Sequence, residues 1–207
     1  MKRTVLWLAT ILSVLAVCLG VPHSAWAGAA SDVVKAKQTA LFELIKKPAT
    51  PDNTKKIQGM FDEMLDYSGL AEASLGSEWA ARTDAEKAEF SGILKQLVQK
   101  AYEKNLRKTV NFNIEYNGEQ PAEGGTLVKT RAVSKTNARE EPVEINFKMA
   151  EKAGAWKVQD IVTEGASLVS SYKSQFTRII KKDGFPALIK KMKQKLASGQ
   201  VGPAPTP

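Results

Sequence analysis

The sequence predicts an α+β fold in which helices flank a curved four-stranded antiparallel sheet. Three observations predict it. Apolar residues recur at spacings of three and four up to residue 106. Between residues 110 and 162 the period switches to two, broken by short Gly- and Asn-containing turns. Helical spacing then returns from residue 168. A chain of 207 residues is sized for one domain with room for a substantial core.

The first 27 residues read as a cleavable leader rather than as part of that domain. Lys2 and Arg3 precede an uncharged apolar run from Val5 to Val21, and Ala25-Trp26-Ala27 places small residues where a signal peptidase reads them. The run is short for a membrane span and has no basic stop-transfer flank. Val17 is too large for the residue before a lipoprotein cysteine at Cys18. Cleavage is therefore expected after Ala27, leaving one domain over residues 28–198 and a disordered tail rich in Pro and Gly over 199–207.

Cleavage has a chemical consequence. Cys18 and His23 are the chain's sole cysteine and histidine, and both precede the expected cut. The mature chain then has no thiol nucleophile, no thiolate or imidazole metal ligand and no imidazole base. No catalytic residue, no metal and no cofactor is expected. The precursor carries a formal charge of +8, and loss of Lys2 and Arg3 leaves +6. No Arg-rich or aromatic-interleaved motif points to nucleic acid. A basic exported protein is suited to an anionic membrane surface or an acidic partner, although solubility alone also accounts for the charge.

Residues 31–47 form the first predicted helix. Asp32 is its expected cap, and Val33, Val34, Leu41, Leu44 and Ile45 give its stripe. Pro48 and Pro51 end it. A second helix from Asp52 or Asn53 carries Ile57, Met60, Phe61 and Leu65, and residues 66–76 read as a turn and a short helix. Thr83 and Glu86 form a capping box. The long helix that it opens carries Phe90, Ile93, Leu94, Leu97, Val98, Ala101, Tyr102 and Leu106 on one face.

Val110, Phe112, Ile114 and Tyr116 alternate as a first strand, with a turn expected from Asn117-Gly118 through Gly125. Residues 126–136 are the second strand, and Val143, Ile145, Phe147 and Met149 mark the third. Lys152-Ala153-Gly154 turns into the fourth, over residues 156–162. Short turns between sequential strands predict a meander. Glu164-Gly165 reads as a junction, with Ser167 capping the helix that begins at Leu168. Asp183-Gly184 separates that helix from a last one bearing Phe185, Leu188, Ile189, Met192 and Leu196.

The run from Trp156 through Glu164, Gly165 and Ser167 (WKVQDIVTEGASLV), followed by Tyr172-Lys-Ser-Gln175-Phe176, resembles the C-terminal signature of the MlaC family. These are the toluene-tolerance or periplasmic phospholipid-binding proteins. Asp66-Tyr67, Leu75-Gly76, Trp79, Phe90, Leu97 and Tyr102 extend the likeness in order, over roughly residues 30–196. Lys173 stands where that family tends to have Arg, and Ala80 stands after Trp79 where a basic residue is common. The resemblance implies a nuclear-transport-factor-like sheet with a helical subdomain and an apolar pocket for phospholipid as cargo. It also implies partners: an outer-membrane lipoprotein and porin complex, and an inner-membrane ABC transporter. Some members are associated with hopanoids instead.

A pocket for acyl chains must be large and apolar. The inward faces supply the candidate lining: Phe112, Ile114, Val128, Ile145, Phe147, Met149, Val158 and Val162 from strands, and Leu97, Ala101, Leu168, Val169 and Tyr172 from helices. The same alternation serves ordinary core packing. Two further readings stand beside carriage: an enzyme on a similar sheet using Asp160 and Glu164, and an adaptor whose apolar faces meet other proteins. Lys181, Lys182, Lys190, Lys191, Lys193 and Lys195 make the last helices basic.

Overall fold

A computed structural model describes residues 29–199, with all side chains in that range except those of 29 and 104–109. The expected leader and most of the expected tail lie outside the described residues. Six helices and one antiparallel sheet make the α+β architecture. The helices are α1 (Ala29–Ile45), α2 (Pro51–Met64), α3 (Tyr67–Leu75), α4 (Asp84–Thr109), α5 (Leu168–Asp183) and α6 (Phe185–Ala197). The strands are β1 (Phe112–Ala122), β2 (Gly125–Ser134), β3 (Val143–Lys152), β4 (Ala155–Thr163) and β5 (Ala166–Ser167), in spatial order β1-β2-β3-β4-β5.

Local chemistry sets most boundaries. The Thr50 side chain, not Asp52 or Asn53, caps α2, accepting from the Asn53 amide with Pro51 in the first turn. Asp32 lies inside the first turn of α1, which starts three residues before it, so it is no cap. Asp66 caps α3 through the Gly69 amide. The capping box of α4 forms: the Glu86 amide donates to Thr83 Oγ1 at 3.2 Å and the Thr83 amide to Glu86 Oε2 at 2.9 Å. That backbone hydrogen bond holds the Glu86 carboxyl below its ordinary value.

The sheet departs from the sequence reading in three places, each through a local backbone device. Asn117-Gly118 is no turn. It forms an irregularity inside β1, where pairing shifts between Tyr116 and Glu119 and Gly118 has φ +90°, so the strand runs on to Ala122. At Glu164-Gly165 both residues have positive φ, which folds Ala166–Ser167 back on β4 as a fifth strand. In β4, Lys148 pairs with Asp160 but Met149 pairs with Val158, leaving Gln159 as the extra residue of a bulge.

The core is continuous. Phe90 is fully buried among α3–α6, with ring centroids 5.5 Å from Phe176 and 6.4 Å from Phe185. From there the core runs through Leu94, Leu97 and Phe61 to the inner face of the sheet. Helices α1, α2, α3 and α5 cover that face. Among the described residues no helix is long and apolar enough to cross a membrane.

Candidate lipid-binding site

The sheet's inner face is set by register. Val128 pairs with Phe147 and Phe147 with Ile161, while Thr126 pairs with Met149 and Met149 with Val158. These side chains form an apolar floor, and Leu97, Leu168 and Tyr172 meet it from α4 and α5 in one buried cluster. Seven of the candidates drawn from the sequence are thus brought together: Leu97, Val128, Phe147, Met149, Val158, Leu168 and Tyr172. Ile145 and Val169 pack on the margin of the cluster. Ala101 is buried one turn beyond Leu97.

Three candidates lie elsewhere. Phe112 and Ile114 share the inner face but sit on the edge strand β1, opposite Ser134 and Ala132, and are only half-buried. The apolar floor therefore runs out to solvent at that edge. Val162 is turned away altogether. The bulge at Gln159 reverses the alternation, so Val162 pairs with Asn146 on the outer face and Ile161 takes the inward position.

The sequence reading assigned nothing on α1 or α2 to the site. Yet Val33, Val34 and Met64 join Met149, Trp156 and Val158 around a crevice between these helices and the sheet, with Lys37 and Glu63 at its rim. The signal was available in the apolar stripes of both helices. What was missing was the knowledge that α1 crosses β1 and β2. The crevice holds about 10 Å³, room for roughly one water. At this crevice α1 and α2 are closed on the sheet.

Two kinds of contact hold the layers together. Along β4 they are part-buried and gather on shared carboxylates. The Asp66 amide donates to the Val158 carbonyl at 3.0 Å, and Leu65 and Val158 form a parallel bridge. Lys152 Nζ donates to both Asp66 carboxylate oxygens, at 2.8 and 3.0 Å. At the start of α5, Asp160 accepts from the Ile161 and Val169 amides and from the Ser167 hydroxyl. Ser167 in turn caps the helix by accepting from the Ser170 amide. Along β1 the contacts join single pairs of part-buried groups. The Ser31 amide donates to Glu119 at 2.7 Å, and the Tyr116 hydroxyl donates to Gln38 Oε1.

These bonds give Asp160 and Glu164 separate structural tasks. Asp160 supports the N-terminus of α5, and Glu164 accepts from the exposed Glu144 amide at 2.5 Å. Among the described residues no cluster of three or more His, Cys, Asp or Glu could hold a metal ion. The polar groups near the apolar interior include Thr130 and two phenols. Burial pushes the Tyr172 hydroxyl up to about 12. Burial, reinforced by the fields of Tyr172 and Asp160, holds Tyr102 well above its ordinary value. Both stay neutral at physiological pH and can donate a hydrogen bond.

Residues 35–194 match the family described as MlaC protein. The chain belongs to the MlaC family. One similar protein is the intermembrane phospholipid transport system binding protein MlaC of Haemophilus influenzae, 25% identical over 138 residues. That match covers 64% of this chain, and the chain spans just under two thirds, 64%, of that relative's length. Among solved structures, the phospholipid-binding protein from Ralstonia solanacearum in complex with a phospholipid superposes with a TM-score of 0.69 at 23% identity. The superposition covers 83% of this chain and 98% of that one. The fold is therefore the MlaC fold, with an open curved sheet.

Proposed function

We propose that the chain is a periplasmic phospholipid-binding carrier of an intermembrane lipid transport system. On this reading it moves cargo between an outer-membrane lipoprotein and porin complex and an inner-membrane ABC transporter. The observation that carries the reading is the apolar floor between sheet and helices, on whose face half-buried Phe112 and Ile114 stand at one edge. Membership of the MlaC family supports it, as do the names of the two similar proteins.

Energetics favour such a site. Each methylene taken from water contributes about 0.8 kcal/mol, so two chains of about sixteen carbons gain roughly 25 kcal/mol gross. Leaving the bilayer and ordering the chains offset most of that gain. The 10 Å³ crevice is far too small for two chains, so loading at that place requires the helices and sheet to separate. The multiple contacts along β4 favour a pivot there. The contacts of α1 with β1 join single pairs of groups, each replaced by water at modest cost, so the β1 side opens.

On this reading the candidate lining is Leu97, Ala101, Val128, Ile145, Phe147, Met149, Val158, Leu168, Val169 and Tyr172. Phe112 and Ile114 stand at the mouth, Ile161 replaces Val162, and Val33, Val34 and Met64 complete the helical side. Native mass spectrometry of the purified protein tests the proposal. Phospholipid that stays bound through gentle extraction and is released on unfolding is the expected result. A lipid-free monomer that also fails to take phospholipid from vesicles would refute it.

A further inference from the structure

The lysines of α5 and α6 do not form one uniform basic face. On α6, Lys191 pairs with Asp183 at 2.6 Å and Lys193 pairs with Glu89 at 2.6 Å. On α5, Lys173, Arg178, Lys181 and Lys182 line one open groove with Ser174 and Thr177 between them. Among the described residues none of these four cations has an ion-pair partner. Positions 173, 174, 177, 178, 181 and 182 fall on one stripe of the helix, about 14 Å long at 1.5 Å per residue. The opposite face of α5 is anchored in the core by Leu168, Tyr172 and Phe176. The row is therefore presented by a fixed helix.

Its chemistry selects a partner. Four unpaired cations interleaved with two hydroxyls suit a set of phosphate groups. No apolar side chain lines the groove, whereas a protein interface is built on buried aromatic or aliphatic anchors. Electrostatic adsorption to a bilayer needs no such anchor. We propose that this row on α5 is where the protein adsorbs to the headgroups of an anionic phospholipid membrane. The proposal deepens the carrier reading by naming where the carrier meets a bilayer, and it depends on that reading for its purpose.

The test is co-sedimentation of the mature full-length chain with vesicles of phosphatidylcholine alone or with about one third phosphatidylglycerol. Two triple variants are compared, R178Q/K181Q/K182Q on α5 and K190Q/K193Q/K195Q on α6. They remove equal charge, and Lys173 is kept because its stem packs over Gly76. Wild type is expected to bind only the anionic vesicles and to lose binding steeply with salt. The α5 variant is expected to bind on the order of a hundredfold more weakly, at roughly fivefold per cation. The α6 variant is expected to lose much less.

Equal losses in the two variants would reduce the effect to net charge and overturn the proposal. So would wild-type binding that ignores phosphatidylglycerol, or retention on a polyglutamate resin without adsorption to vesicles. Wild-type salt dependence decides the matter on lipid binding itself should the α5 variant misfold. Failure of the carrier reading is distinguishable, because absence of copurified phospholipid leaves the adsorption isotherm intact.

Discussion

Phe147 offers the sharpest test of whether acyl chains enter between sheet and helices. It is 6% exposed and sits on the floor between Val128 and Ile161. Phe147→Ala in a lipid-stripped protein is expected to cost about 4 kcal/mol, within the range for truncating a buried aromatic. Part of that cost is the cavity. About 100 Å³ of side chain is removed, and at roughly 24 cal/mol per Å³ the empty space accounts for about 2.4 kcal/mol. In lipid-loaded protein, chain methylenes flow into the vacated space and recover most of that part. The substitution should therefore cost about 2 kcal/mol less when cargo is bound. Urea unfolding of four samples, wild type and F147A with and without phospholipid, closes the cycle. Equal losses in the loaded and stripped proteins would mean that acyl chains never reach Phe147, and the proposed site would fall.

Three further outcomes follow from particular contacts. Asp66→Ala removes the α3 cap and the acceptor for Lys152, and should lower stability by about 2 kcal/mol. Lys152→Met should cost below about 1 kcal/mol because that lysine is half-exposed, and chemical unfolding measures both. Gly125→Ala would place a Cβ 1.9 Å from the Met149 carbonyl oxygen, so β2 and β3 must shift apart, at an expected cost of about 3 kcal/mol in the same assay. All four tyrosines are raised, Tyr116 and Tyr172 to about 12 and Tyr67 and Tyr102 upward as well, with burial the leading cause in each. Phenols of the unfolded chain ionise near 10, so above that pH the unfolded state holds fewer protons than the folded one. Stability should be insensitive to these groups below about pH 10 and fall progressively toward pH 12. Absorbance at about 295 nm should show phenolate late in the native protein and near pH 10 in denaturant, and early titration of the native phenols would contradict their burial.

Much of the fold was legible because the elements that carry it obey simple periods. The stripe from Phe90 to Ala101 and the capping box at Thr83 are local signals, and both form as read. The misread positions are those where one backbone torsion decides the outcome. Asn117-Gly118 has the composition of a turn, but β1 and β2 can keep pairing past it, so the ladder wins and the pair becomes an irregularity in the strand. The bulge at Gln159 has no compositional mark, and a strict period of two carries Val162 inward when Ile161 belongs there. The site was legible to the same degree. Side chains on one strand or helix were grouped correctly, but the roles of α1 and α2 depend on how helices lie across the sheet, and no local pattern encodes that.

The distribution of polar contacts suggests why a carrier would be built this way. Asp66 bonds to Lys152 and to the Val158 carbonyl, and Asp160 bonds to Ser167 and the Val169 amide, so separating a layer there would break several bonds together. Opposite, α1 is held to β1 by single bonds between part-buried groups. On the proposed reading, a sheet attached in this uneven manner opens along the β1 edge, where Phe112 and Ile114 stand half-buried on the inner face. Helix α5 belongs to the pinned side through Asp160, so its basic row keeps a fixed position while the opposite edge parts. On the proposed reading, the same molecule can rest its charges against headgroups and still open its apolar face. A charge row on α1 would not allow that, because the helix that touched the membrane would also have to move.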